Sequence, residues 1–251
     1  MCHDSLIHPW NCDSLRADPL QPPAGLGPQG FFLAESPIRA RTIWLIDGFN
    51  LYHSICHAEK LHGISGLRWM NPCLLAKSTG NFLAPAVTYF TATPHHLRFQ
   101  EPEALSSQLA YQRALTALRP KVVLRHGHFK QQVIRRRSSD GRYSQLTEWK
   151  EKGTDVAIAL EAVRLAHEGQ VDEIVVVSGD SDYVPLAELF TSSFISIRLR
   201  FAFPVGRTSR QLMRLAHGSF GLSVEDYRQA QLPHRVILPS GKFVVCPEAW
   251  R

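Results

Sequence analysis

The chain has 251 residues, 44% of them hydrophobic and 20% charged, which is enough for an ordinary globular core and unlike a disordered or fibrous composition. Twenty-eight Lys and Arg against 22 Asp and Glu leave a formal charge of +6 and a pI near 9.2, favouring anionic partners such as nucleic acid. Five scattered cysteines with no C-x-x-C pair argue against a disulfide framework or zinc knuckle, and no run approaches the ~18 apolar residues of a membrane helix, so a cytoplasmic protein is expected.

Residues 1–38 hold six prolines (Pro9, Pro19, Pro22, Pro23, Pro28, Pro37) with no helical or strand period, and read as a tail outside the fold. Residues 41–46 (R-T-I-W-L-I) form a buried-strand run that ends in Asp47-Gly48-Phe49-Asn50, and Leu51, Tyr52, Ile55 and Ala58 continue at helical spacing. Asp47 and Asn50 therefore occupy a strand-to-helix turn, where cap chemistry alone would also account for them. Residues 86–91 read as another strand, 103–118 as a helix stopped by Pro120, and 122–124 as a short buried strand.

A hairpin is expected next, with arms 131–137 and 142–149 about an Asp140-Gly141 turn. Residues 119–152 carry ten Lys or Arg against three acids, a net +7. Such a ribbon suits phosphate binding, with Lys130, Arg135, Arg136, Arg137 and Lys152 as candidates, and it equally suits a charged edge that resists aggregation. Residues 154–168 give the clearest helix, with apolar residues on two faces and hence a largely buried setting expected; Asp155 lies in its first turn, where the helix dipole favours a carboxylate anyway. Twelve histidines show no metal-ligand spacing, so no zinc site is expected.

Residues 173–182 (E-I-V-V-V-S-G-D-S-D) organise the rest. Four consecutive β-branched residues without alternation mark a central strand covered on both faces, and it breaks at Ser178-Gly179 just before Asp180 and Asp182. A short helix over 183–190, an edge-like strand over 194–203, a helix over 207–216 and a small hairpin over 235–245 complete the reading. Residues 189–224 contain no acid but carry Arg198, Arg200, Arg207, Arg210 and Arg214. Domain bounds are expected at 39–226, with 227–251 as an extension.

Strands alternating with long helices imply a mainly parallel sheet with helices on both faces, and ligands at the strands' carboxyl ends. Asp47, Asp155, Asp180 and Asp182 reach that edge from three segments. Four carboxylates brought together repel, and a hard cation, Mg²⁺ or Mn²⁺, is the simplest neutraliser.

Residues 45–52 (L-I-D-G-F-N-L-Y), 127–130 (G-H-F-K), 151–160 (E-K-G-T-D-V-A-I-A-L) and 177–186 (V-S-G-D-S-D-Y-V-P-L), in that order, resemble the LabA-like NYN domain of the PIN-like metal-dependent nucleases. The resemblance spans about residues 41–220. It implies a three-layer α/β/α sandwich, metal-site roles for Asp47, Asp155, Asp180 and Asp182, and a supporting role for Asn50. It points to an endoribonuclease acting on single-stranded RNA, with a nucleic-acid-binding module of little turnover as the alternative. A phosphohydrolase of small molecules would leave the basic stretches unexplained.

Overall fold

A computed structural model describes residues 41–80, 86–137 and 143–251. The expected tail over 1–38 and the Asp140-Gly141 turn lie outside these residues, as do the side chains of Arg136 and Arg137.

Six parallel strands form the central sheet: β1 (Thr42–Asp47), β2 (Ala86–Thr91), β3 (Val122–His126), β6 (Glu173–Val177), β7 (Arg198–Phe203) and β8 (Gly218–Gly221). Their spatial order is β3-β2-β1-β6-β7-β8. The first half of the chain winds outward from β1 in one direction and the second half from β6 in the other. β1 and β6 adjoin, so the switch point of an open α/β sheet falls between them.

The unbroken apolar runs of β1 and β6 feed two cores. Trp44, Ile46, Val175 and Val177 face one side; there α1 (Gly48–His62), α2 (Pro72–Gly80) and α3 (Pro102–Thr116) supply Leu51, Ile55, Leu75, Tyr111 and Leu115. Leu45, Ile174 and Val176 face the other side, covered by α4 (Thr154–His167), α5 (Val184–Ser193) and α6 (Arg210–Leu215). Successive strand residues point to opposite faces, so a strand buried on both sides must be apolar throughout. The result is an α/β/α sandwich of the PIN-like kind.

Three expectations are corrected. First, α4 is not largely buried: Ile158, Ala162, Leu165 and Ala166 form its single inner stripe, while Val156 and Leu160 are 63% and 65% exposed. Second, the strand expected over 194–203 begins only at Arg198. Third, it is no edge, because β8 pairs along its outer side. The alternation that suggests an edge arises from Arg198 and Arg200, which reach the buried Glu173 carboxylate at 3.5 Å.

Residues 224–251 complete the first core. The helix α7 (Val224–Gln229) straddles the expected boundary at 226, and Tyr227, Leu232, Val236, Val244 and Trp250 pack with Trp69 and Tyr111. Here β9 (Arg235–Ile237) pairs antiparallel with β10 (Phe243–Val245). The basic hairpin is a separate two-stranded sheet of β4 (His128–Arg137) and β5 (Tyr143–Lys152), entered from β3 and leading into α4. Among the described residues no helix is long and apolar enough to cross a membrane.

Candidate active site

The carboxyl ends of β1 and β6 meet where the register sets Ile46 opposite Val177. Asp47 follows on β1 and caps α1: its Oδ1 accepts the Asn50 N–H at 2.9 Å, and its Oδ2 accepts the Ser178 hydroxyl at 3.1 Å. Asn50 is buried and its Oδ1 accepts the Gly179 N–H at 3.3 Å, so it pins the turn after β6. Asp180 caps the following 3-10 turn through the Asp182 N–H at 3.0 Å. Asp155, in the first turn of α4, accepts the Tyr183 hydroxyl at 3.0 Å.

Gly179 is required by close approach. A Cβ there would fall 2.1 Å from the Arg207 carbonyl oxygen, a backbone atom that cannot swing away. Gly179→Ala is therefore expected to destabilise the fold by about 1–3 kcal/mol, read by thermal melting, because the overlap must be relieved by backbone shifts. Unchanged melting would show that the turn has more room than this packing allows.

The electrostatics tie the acids into one group. Burial is the main force raising the Asp47 carboxyl to about 6, opposed by its Asn50 and Ser178 hydrogen bonds and assisted by Asp155 and Asp180. Burial also raises Asp155, against the Tyr183 hydrogen bond and with help from Asp180 and Asp182. The Tyr183 hydroxyl, nearly buried beside these charges, is pushed far up and stays a donor.

A fifth carboxylate belongs to the group and sequence reasoning missed it. Glu151, near the end of β5, is raised to about 7 by burial first, then by Asp47 and Asp155. Its Oε1 is buried without a hydrogen-bond partner, as is Thr154 Oγ1. Both atoms crowd one spot: a Cβ at Gly127 would lie 2.8 Å from Thr154 Oγ1 and 3.0 Å from Glu151 Oε1. The Gly127 N–H is itself fixed to the Thr91 carbonyl at 2.8 Å. Glu151 opens the E-K-G-T-D stretch, so position was the available signal; its hairpin setting hid it.

The basic candidates stand apart from this group. Lys130 and Lys152 are exposed on one face of the hairpin, Lys130 opposite Lys150 and Lys152 opposite His128. Arg135, exposed and opposite Gln145, points to the other face by strand alternation. Arg136 and Arg137 pair by backbone with Ser144 and Tyr143.

The donor set is entirely hard oxygen, and an unpartnered buried carboxylate oxygen among raised carboxyls is chemically suited to Mg²⁺ or Mn²⁺. As the side chains stand, no three His, Cys, Asp or Glu among the described residues are close enough to form a metal-holding group. This holds too for His95, His96, His126 and His128, which line a neighbouring cavity of about 560 Å³.

The NYN domain model matches residues 87–220, from β2 to β8, leaving Asp47 and Asn50 before the matched span. A curated relative from Pseudomonas putida (strain DSM 28022 / S16), named 6-hydroxy-3-succinoylpyridine 3-monooxygenase HspA, is 25% identical over 245 residues, covering 87% of this chain and 77% of its own. The crystal structure of a Vibrio parahaemolyticus RIMD 2210633 protein of unknown function superposes with a TM-score of 0.49 at 19% identity, over 76% of this chain and 98% of the other.

Proposed function

Because the chain belongs to the NYN domain family, we propose that it is a divalent-metal-dependent endoribonuclease whose acid edge cleaves single-stranded RNA. NYN domains are PIN-like, and PIN-like proteins are generally hydrolytic nucleases that use divalent metals. The observation that carries the finer reading is the electrostatic grouping of Asp47, Glu151, Asp155, Asp180 and Asp182 at the switch point of the sheet. Asp47, Asp155, Asp180 and Glu151 would hold the cation, with Asp182 at the exposed rim. When bound, Mg²⁺ or Mn²⁺ supplies Lewis-acid charge to a phosphodiester and makes a water more acidic.

The chain's own groups do the rest. Glu151, with its carboxyl near 7 in the metal-free protein, gives up its proton close to neutral pH, which frees Oε1 for the cation there. Tyr183 fixes the Asp155 carboxylate, and Asn50 with Ser178 fixes the approach of the β6 turn to Asp47. Lys130, Lys150 and Lys152 offer one face of the hairpin to backbone phosphates. Free thiols at Cys56, Cys73 and Cys246 agree with action in a reducing cytoplasm.

The test is cleavage of labelled single-stranded RNA by wild type and Asp180→Asn, with Mn²⁺ or with EDTA. Wild type is expected to cleave only with metal, and Asp180→Asn to lose about 10²-fold or more, as when a charge-stabilising group is removed. Equal cleavage by both proteins in EDTA would overturn the reading. RNA binding without cleavage would instead support a binding module. The name of the Pseudomonas relative brings an oxygenase reading, favoured by the aromatic-lined cavity beside the acids. Oxygen consumption with 6-hydroxy-3-succinoylpyridine and a reductant would support it over the nuclease.

A further inference from the structure

Next to the acid edge lies a cavity of about 780 Å³ whose lining includes Gly48, Phe49, Thr91, His96, Phe129 and Trp149. We propose that it is a base-binding subsite: it takes the nucleobase of a nucleotide flanking the phosphodiester presented to the carboxylates. This rests on reading that edge as an RNA site and adds how the strand is held there.

Continuity is the first argument. Gly48 directly follows Asp47, and Thr91 follows Phe90, the residue paired with Asp47 across the β1–β2 ladder. The cavity therefore opens at the same sheet edge as the acids. The hairpin carries the second argument. On β5, Trp149 and Glu151 are two residues apart and share a face, and Phe129 opposes Glu151 on β4. One face of one ribbon thus delivers a carboxylate to the acid group and two aromatic rings to the cavity.

The rings form a continuous wall. Phe49 meets Phe129 edge to face at 5.8 Å, Phe129 meets His96 at 4.8 Å, and His96 stacks on Trp149 at 4.7 Å with planes 9° apart. Trp149 remains 42% exposed, an unusual setting for so large a ring, while Tyr111 and Trp250 are buried deeper in the same cavity. A volume of this size fits ligands of nucleotide scale. Stacking on aromatic rings is the sequence-tolerant way proteins hold single-stranded bases, and the basic opposite face of the same ribbon complements the phosphates. A duplex, with its bases already stacked, could not use such a cavity.

The test uses the intact protein in EDTA, so that binding is read without cleavage. A short single-stranded oligoribonucleotide carrying 2-aminopurine is titrated with wild type, Trp149→Ala and Trp149→Phe. Wild type is expected to quench the 2-aminopurine; Trp149→Ala is expected to lose that quenching and bind at least about fivefold more weakly, with Trp149→Phe recovering part. The same RNA with an abasic position should bind wild type as weakly as Trp149→Ala binds the intact strand, an arm that needs no variant to fold. Quenching and affinity unchanged in Trp149→Ala would overturn the subsite even if the RNA is cleaved with Mn²⁺. Quenching that depends on Trp149 would uphold it even if no cleavage is found, which separates its fate from that of the nuclease reading. If free 2-aminopurine riboside binds as tightly as the oligonucleotide, the cavity serves a small ring and the proposal falls.

Discussion

Asp47→Asn is expected to lose RNA cleavage by about 10²–10³-fold, the scale on which preorganised charge contributes, yet to leave the metal-free protein as stable as wild type or more stable above pH 6. The capping geometry permits this. An asparagine at position 47 still offers Oδ1 to the Asn50 N–H, and its amide can donate to Ser178 Oγ where the carboxylate now accepts. What is removed is a buried negative charge. Its folded carboxyl titrates at about 6 against 3.8 without the fold, so below pH 4 both states are protonated and Asp47 costs nothing. As pH rises from about 4 to 6 the folded state binds more protons than the unfolded one, and stability falls. The full penalty, on the order of 2–3 kcal/mol at ~1.4 kcal/mol per pH unit, is present above the folded value.

Thermal melting in EDTA across this window should therefore show wild type losing stability relative to Asp47→Asn as pH rises. The Asp172 and Glu161 carboxyls, held down by Arg41 and Arg164, titrate in the opposite sense but are common to both proteins, so the difference reports Asp47 and its charge effect on Glu151. Mn²⁺ should raise the melting temperature of wild type more than that of the variant, because binding to the native state alone stabilises it. If the variant melts well below wild type at every pH and Mn²⁺ shifts neither, Asp47 is a helix cap and no more.

The parts of this site that were legible in the sequence are those whose signal is local. The strands ending at Asp47 and before Asp180 announce themselves by unbroken apolar runs, which only a doubly covered strand needs, and the acids sit at the breaks. Asp155 follows from length: α4, 14 residues at ~1.5 Å each, runs back about as far as the next strand returns, which sets its first turn near that strand's carboxyl end. What escaped depends on contacts distant in sequence. β8 reads G-S-F-G, with no β-branched residue, and is a strand only because β7 offers it a ladder. The exposed Val156 and Leu160 look like core until the sheet is seen to cover only the Ile158 stripe of α4. Residues 227–251 look detached, but their aromatic and aliphatic side chains close the first core. Glu151 counts as one acid in a basic ribbon, because nothing local says that the end of β5 comes within electrostatic reach of Asp47 and Asp155.

That oversight makes Glu151→Gln the sharper test of the carboxylate group. Of the raised carboxyls, Asp47, near 6, and Glu151, near 7, are raised furthest, Glu151 with help from the charges of Asp47 and Asp155. Cation binding needs ionised ligands, so the Mn²⁺ affinity of wild type should climb with pH until about 7 and then level. With glutamine at 151 the carboxyl raised furthest is gone, and the affinity should level at a lower pH than in wild type. At neutral pH the affinity and the RNA cleavage should both fall about 10–100-fold, as for groups that orient or complete a metal's surroundings. The fold should survive. The glutamine amide has an unpartnered acceptor in Thr154 Oγ1, which crowds the same spot beside Gly127 as Glu151 Oε1. Calorimetric titration of Mn²⁺ into both proteins between about pH 5 and 8 decides the matter. An affinity and a pH dependence that do not change with glutamine would mean that Glu151 only packs the hairpin against α4, and that the cation, if one binds, is held by the aspartates alone.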